Sequence, residues 1–316
     1  MTLTQLVNTA ATKTNFTSIS DYVQFCKTYL NFVSTELQAV IVSQNENHYR
    51  FYQYKEDGQF NITRPINSNL MYGSDDETKI GRDFVHLLHN IRDLPEDDSS
   101  NREIIVRGIY TIQQSIGAAL DALPAGRSNT ARKINGDLFE RFIQLLLKEI
   151  GIKCLTGTVQ VPVYVGGEVQ FHMSYQHDLL LYNEEELKVI GSVKTSSKDR
   201  IDKIFLDKFL YCKLTDTALP HIAIFLNDVQ RKNTRREDEY GINSTFLTGH
   251  FKAFTVKLNP LDGVYYCDIR PNMQRDGLLK QHVKTIDHFF CSDIWTLTES
   301  EGIPLQEVTI EEEPLP

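Results

Sequence analysis

The sequence of 316 residues lacks the marks of an exported or membrane-bound protein. Its five cysteines, at 26, 154, 212, 267 and 291, form no C-x-x-C pair. An odd number scattered through apolar segments predicts free buried thiols, with neither disulfides nor zinc. No apolar run approaches the length of a membrane span, and MTLTQLVNTAATKTNFTS has neither the basic flank nor the apolar block of a signal peptide. A cytoplasmic protein without a membrane partner is expected.

An excess of positive charge is also missing: 33 Lys and Arg face 42 Asp and Glu, a net charge of −9. That argues against a protein that holds any nucleic acid by bulk charge. The imbalance is local, however. Six glutamates (299, 301, 307, 311, 312, 313) crowd the last 18 residues, whereas Lys188 to Lys213 holds seven basic residues against three acids. A weak overall field with a basic cleft suits binding to specific DNA.

What is present centres on HDLLLYNEEELKVIGSVKTSSKDRIDKIFLD, residues 177–207. Asp178 opens the apolar run Leu179, Leu180, Leu181, Tyr182; Asn183 and three glutamates mark a turn; Leu187 to Ser196 resumes the extended pattern. A hairpin of this length brings Asp178 and Lys194 together, an acid and a lysine around one phosphate. Phosphodiester hydrolysis needs carboxylates that hold Mg²⁺, a cation of hard oxygen ligands, and a fixed positive charge beside the attacking water. A helix beginning near Asp199 carries Ile201, Ile204, Phe205 and Phe209 on one side, with Asp207 at the edge of that side, about 60° from Ile204. From there Asp207 can lean over the sheet edge toward Ser192.

Ser192-x-Lys194 followed thirteen residues later by an acid resembles the PD-(D/E)xK restriction endonucleases of the EcoRII/SsoII-like branch. These enzymes recognise CCGG or CCNGG sites and carry a migrated catalytic acid. Lys194-Thr-Ser-Ser-Lys198-Asp199-Arg200 is similar to their lysine, three spacers and base-reading triplet. The resemblance, over roughly residues 125–270, implies a restriction-endonuclease-like α/β core, a central mixed β-sheet flanked by helices. It implies Asp178, Lys194 and Asp207 as the active site, with Asp178 and Asp207 on Mg²⁺. It also implies Glu140 as a further catalytic residue, touching a metal-bound water or orienting Lys194. The chain departs from the pattern in having Asp207 where glutamate is usual and Lys198 where arginine is usual. Without the family the triplet still suits G·C pairs, since guanine offers O6 and N7 acceptors and cytosine an N4 donor.

Taken in order, Leu6 to Val42 has helical spacing with Ser20-Asp21 as cap, and His48 to Ile62 reads as a hairpin around Asp57-Gly58. A short helix near Phe84 precedes the loop PEDDSSN. That loop sets an expected boundary between an N-terminal, mainly helical subdomain (1–100) and a nuclease domain (101–298), with 299–316 as a mobile acidic tail. Arg64 is a candidate to brace DNA from the first part. Ile104 to Leu123 is a long helical pattern. Arg127, Asn129, Arg132 and Lys133 then lead into an amphipathic helix carrying Glu140, a cluster that suits DNA backbone or minor-groove contact.

Strands follow at 154–165 and 169–175 around Gly166-Gly167, then at 178, 187 and 221–225. The loop after the last is basic, with Arg231, Lys232, Arg235 and Arg236, and Arg231 is a further candidate for the DNA backbone. His250, between aromatic residues, reads as packed and hydrogen-bonded. Tyr265, Tyr266 and Ile269 form a late strand, and His282 to Trp295 reads as a closing helix.

The rival reading of Asp178 and Lys194 is a structural ion pair at a sheet edge. It leaves Asp207, the triplet and the basic approach at 127–133 unexplained. The reading that joins them is a site-specific, Mg²⁺-dependent type II deoxyribonuclease acting as a homodimer on double-stranded DNA, with a cognate DNA methyltransferase as its functional counterpart. The alternatives are a structure-specific repair nuclease or resolvase, and a catalytically silent DNA-binding protein.

Overall fold

Apolar residues on adjacent strands build a sheet covered on both faces. A computed structural model describes residues 1–56, 59–124, 126–198, 200–232, 239–305 and 308–312. The expected turn at Asp57-Gly58 and the basic residues Arg235 and Arg236 lie outside the described residues.

Helices α1 (Leu3–Ala11) and α2 (Ile19–Glu36) come first. The cap of α2 is Ser18, two residues before the expected Ser20. Its hydroxyl accepts from the Asp21 amide while the Asp21 carboxylate accepts from the Ser18 amide, a reciprocal capping box. Strands β1 (Ala39–Val42), β2 (Tyr49–Glu56), β3 (Gln59–Ile62) and β4 (Ile66–Asn67) form a small antiparallel sheet. Then come α3 (Phe84–His89), α4 (Ser99–Leu120) and α5 (Ser128–Glu149).

The main sheet begins with β5 (Lys153–Val165), β6 (Glu168–Asn183) and β7 (Glu186–Ser196). Helix α6 (Ile201–Thr215) crosses to β8 (His221–Asn227), and a ribbon of β9 (Val229–Arg231) and β10 (Ile242–Ser244) follows. After α7 (Thr248–Lys257) come β11 (Gly263–Tyr266), α8 (Pro271–Arg275), α9 (Gly277–His282) and β12 (Val283–Thr285). The chain closes with α10 (Ile286–His288), a π turn, α11 (Ile294–Glu299), β13 (Ile303–Pro304) and β14 (Thr309–Glu312). The strand order is β12-β11-β8-β7-β6-β5-β14, with β13 against β7. Strands β5, β6 and β7 are antiparallel, and β7, β8, β11 and β12 are parallel. This is the expected α/β architecture of a mixed sheet flanked by helices.

The largest core runs across residue 100 without a break, joining Leu3, Tyr22 and Phe84 to Ile109, Phe139, Leu181 and Ile294. Helix α4 is buried nearly all round, and its buried Gln113 amide donates to both the Asn135 backbone and side-chain oxygens at 3.0 Å. Fully burying one such leucine or phenylalanine contributes roughly 1.5–3 kcal/mol, so this shared core fixes α5 firmly against the sheet.

Four expectations change. The segments 169–175 and 178–182 are one strand, β6, because the polar residues between them remain paired to β5. The described part of the acidic tail is bound: Ile303, Leu305, Val308 and Ile310 pack under the sheet edge, and β14 pairs with residues 157–160 of β5. The closing helix starts with β12, whose Val283 pairs with Val264 of β11, before helical turns take over. His250 is exposed rather than packed, though it has the expected hydrogen-bond partner, its Nδ1 3.0 Å from Asp202 Oδ2. The cysteines are free, four buried and Cys212 half-buried. No helix among the described residues is long and apolar enough to cross a membrane.

Candidate active site and DNA cleft

The end of the β6–β7 pairing remote from its turn presents Asp178 and Lys194. Their ladder begins at Leu179 and Gly191, so Asp178 lies just outside it, and its carboxylate takes the place of a strand partner. Asp178 Oδ2 accepts from the Val193 amide at 2.8 Å and from Lys194 Nζ at 2.5 Å. Gly191 allows the close approach, since a Cβ there would stand 3.1 Å from Leu179 Cβ and 3.2 Å from Ile222 Cγ1.

Helix α5 completes the cluster. Glu140 Oε1 accepts from Lys194 Nζ at 2.8 Å, so one ammonium bridges two carboxylates. One helical turn later on the same side, Gln144 donates to the Asp178 backbone oxygen at 2.9 Å, and the Thr156 hydroxyl donates to that oxygen at 3.1 Å. The sequence reading missed Gln144 and Thr156; a buried glutamine four residues after Glu140 on an otherwise apolar face is the signal that points to them.

The electrostatics follow from burial. Loss of water pushes the Glu140 carboxyl up to about 7, with the Asp178 charge adding to the rise and Lys194 opposing it. Burial alone would lower the Lys194 ammonium, but the charges of Asp178 and Glu140 hold it above its ordinary range. Lys194 is therefore a permanent cation, and Glu140 is an acid poised near neutrality.

Asp207 is placed differently. On α6 its Oδ2 is 2.6 Å from Lys203 Nζ, an i,i+4 pair, and among the described residues no hydrogen bond or ion pair links it to Asp178, Lys194 or Glu140. Burial raises the Tyr175 hydroxyl and the Asp207 charge raises it further. The Lys203–Asp207 pair thus faces β6 just before Asp178.

Glu140 and Lys194 lie on one wide cleft of about 1290 Å³. Arg132, Lys133, Lys198, Arg200 and Arg231 line it as well, drawn from the start of α5, the β7–α6 connection and β9. The far wall is Asn61 and Arg64 from the small N-terminal sheet. Arg64 is not a loose cation: its Nε and Nη2 donate to Asp121 at 2.9 and 2.8 Å. Lys198 and Arg200 are exposed, and Arg231 stacks on Tyr240, 4.4 Å from the ring centre. Arg127 and Asn129 are exposed at the start of α5 outside the cleft lining, Asn129 accepting from Arg132 at 3.2 Å. Asp199 lies outside the described residues.

With this geometry in place, the comparison with solved structures is informative. Over 95% of this chain and 98% of the other, the structure is similar to the type IIP restriction endonuclease Kpn2I, with a TM-score of 0.67 and 17% sequence identity. The fold is that of a restriction endonuclease. No family model matches the sequence, and no curated protein does. At this identity the likeness extends to the architecture alone.

Proposed function

We propose that the chain is a site-specific, Mg²⁺-dependent endonuclease for double-stranded DNA, a type II restriction enzyme acting on a short G/C-rich palindrome of the CCGG or CCNGG kind. The observation that carries this reading is one cleft lined by Glu140 and Lys194, with Asp178 bonded to that lysine, and by Arg132, Lys133, Lys198, Arg200 and Arg231. An ion pair kept for stability alone has no use for such surroundings.

The donor set suits Mg²⁺. Among the described residues no group of three or more acids, histidines or cysteines forms a protein-only cage. Mg²⁺ characteristically uses one or two carboxylates with waters and substrate phosphate. Asp178 Oδ1 and Glu140 Oε2 carry no hydrogen bond among the described residues, which leaves hard oxygens available at the cluster. Asp178 would hold the ion, with Asp207 as a second ligand once it exchanges Lys203. When bound, Mg²⁺ supplies charge that neutralises the phosphate oxygens during displacement.

The chain's own groups do the rest. Lys194 presents a fixed positive charge to the scissile phosphate, and Glu140 holds that ammonium in place. Ionised near neutral pH, Glu140 Oε2 can accept a proton from a water aimed at phosphorus. Lys198, Asp199 and Arg200 would read G·C edges, the two cations donating to guanine and Asp199 accepting from cytosine. Arg132, Lys133 and Arg231 would hold the backbone, with Arg127 and Asn129 at its approach. A homodimer would address both strands, and a cognate methyltransferase would protect host sites.

Incubation of the protein with plasmid and Mg²⁺ tests this. Discrete fragments with uniform ends are expected. Nicking confined to branched or damaged DNA would instead indicate a repair nuclease. Binding without cleavage would indicate a silent relative, a reading favoured by Ser192 and by the Lys203–Asp207 pair.

A further inference from the structure

Strands β5 and β6 run on beyond the sheet. The pairing of β5 with β14 ends at Gln160, and that of β6 with β7 begins at Leu179. Residues 161–165 and 168–174 therefore form a two-stranded arm, turned at Gly166 and Gly167, whose φ values of 63° and 90° favour glycine. Four large apolar side chains of the arm are exposed: Tyr164 is 59% exposed, Val165 61%, Val169 45% and Phe171 56%. The register pairs Val163 with Phe171 and Val161 with Met173, so an apolar face continues outward from the buried group Val159, Val161 and Tyr175.

Charge decides what such a surface fits. No lysine or arginine occurs between Lys153 and Lys188, and the only formal charge on the arm is Glu168. A phosphate backbone finds no cation here, in contrast to the cleft. The two edges also differ. Pro162 blunts the β5 edge, whereas the β6 edge over 168–174 has neither proline nor lysine, the residues that usually protect an unpaired strand.

We propose that this arm is the contact through which two copies of the chain associate, the free edge of β6 with Val169 and Phe171 meeting the same residues of the second copy about a two-fold axis. Such a contact must be self-complementary, and an antiparallel strand pair bearing apolar side chains satisfies that requirement. The choice of a second copy over another protein rests on the cleavage reading: each chain holds one Asp178–Lys194–Glu140 cluster, whereas a palindromic duplex has two scissile phosphates.

Sedimentation velocity of the full chain without DNA tests the arm. The wild type is expected to sediment as a dimer. Val169→Lys combined with Phe171→Lys should give a monomer with an unchanged circular dichroism spectrum, and Phe171→Ser alone should weaken association by about tenfold or more. A wild type that stays monomeric up to about 100 μM, or lysine variants that dimerise as the wild type does, overturns the proposal. A dimer that the lysines disrupt but that never cuts DNA upholds the arm and removes the nuclease reading; a monomer that cuts both strands does the reverse.

Discussion

Two helices flank the β6–β7 hairpin and offer it acids on different terms. From α5, Glu140 is desolvated and already bonded to Lys194; from α6, Asp207 is tied to Lys203 on its own helix. The first carboxyl is pushed up to about 7, and the second spends its charge on a local surface pair. Helical position marked Asp207 and the family resemblance marked Glu140, but burial and an existing partner set them apart. A residue that contacts the lysine without rearrangement is ready to orient it, whereas one held by another lysine must exchange partners first.

The largest effect should come from the residue that both sides need. Asp178→Ala should lower cleavage by about 10³-fold or more with DNA binding retained, since it removes a ligand oxygen and the partner of Lys194 together. Asp207→Ala is the next largest, about 100-fold if the α6 acid joins the metal. Wild-type cleavage in that variant would leave Glu140 as the second carboxylate and break the comparison in favour of α5. Glu140→Gln should cost about 10- to 100-fold, the usual range for an outer residue that positions another. Because this carboxyl is raised, it ionises only as pH rises through about 7, so the wild-type rate should climb across that range. The glutamine variant should lose that limb; an unchanged pH profile would remove Glu140 from proton transfer.

The smallest effect concerns the layer beneath α6. Burial holds His177 down to about 3, with His221 and Lys203 adding to the effect. Burial likewise holds His221 down to about 4, opposed by its bond to the Leu219 carbonyl. Depressed values mean that the stability of the neutral histidines is complete above the ordinary value of about 6.5 and is lost as pH falls toward 4. The melting temperatures of wild type and His221→Gln should therefore converge between pH 7 and 4. A gap independent of pH would show that the ring is not kept neutral.

Much of this was legible in the sequence. The Asp178–Lys194 hairpin and the α5 face carrying Glu140 follow from apolar periodicity, which the core preserves. What was not legible depends on tertiary partners. The continuity of β6 is masked by the polar pair Gln176-His177, which remains paired to Thr158 and Gly157 of β5. Glutamates hide the alternating Val308 and Ile310 at β14, a strand whose place is set by the edge of β5 and which begins after Val308. The partner of Asp207, Lys203 one helical turn earlier, follows from i,i+4 spacing, but the sequence reading aimed that acid at the hairpin instead.

The most direct measurement is a comparison of Lys194→Ala with the wild type on one duplex fragment, following binding and Mg²⁺-dependent cleavage together. Retained binding with cleavage lower by about 10³-fold is the predicted result. Cleavage at the wild-type rate would show that the bridged ammonium only holds two strands and a helix together.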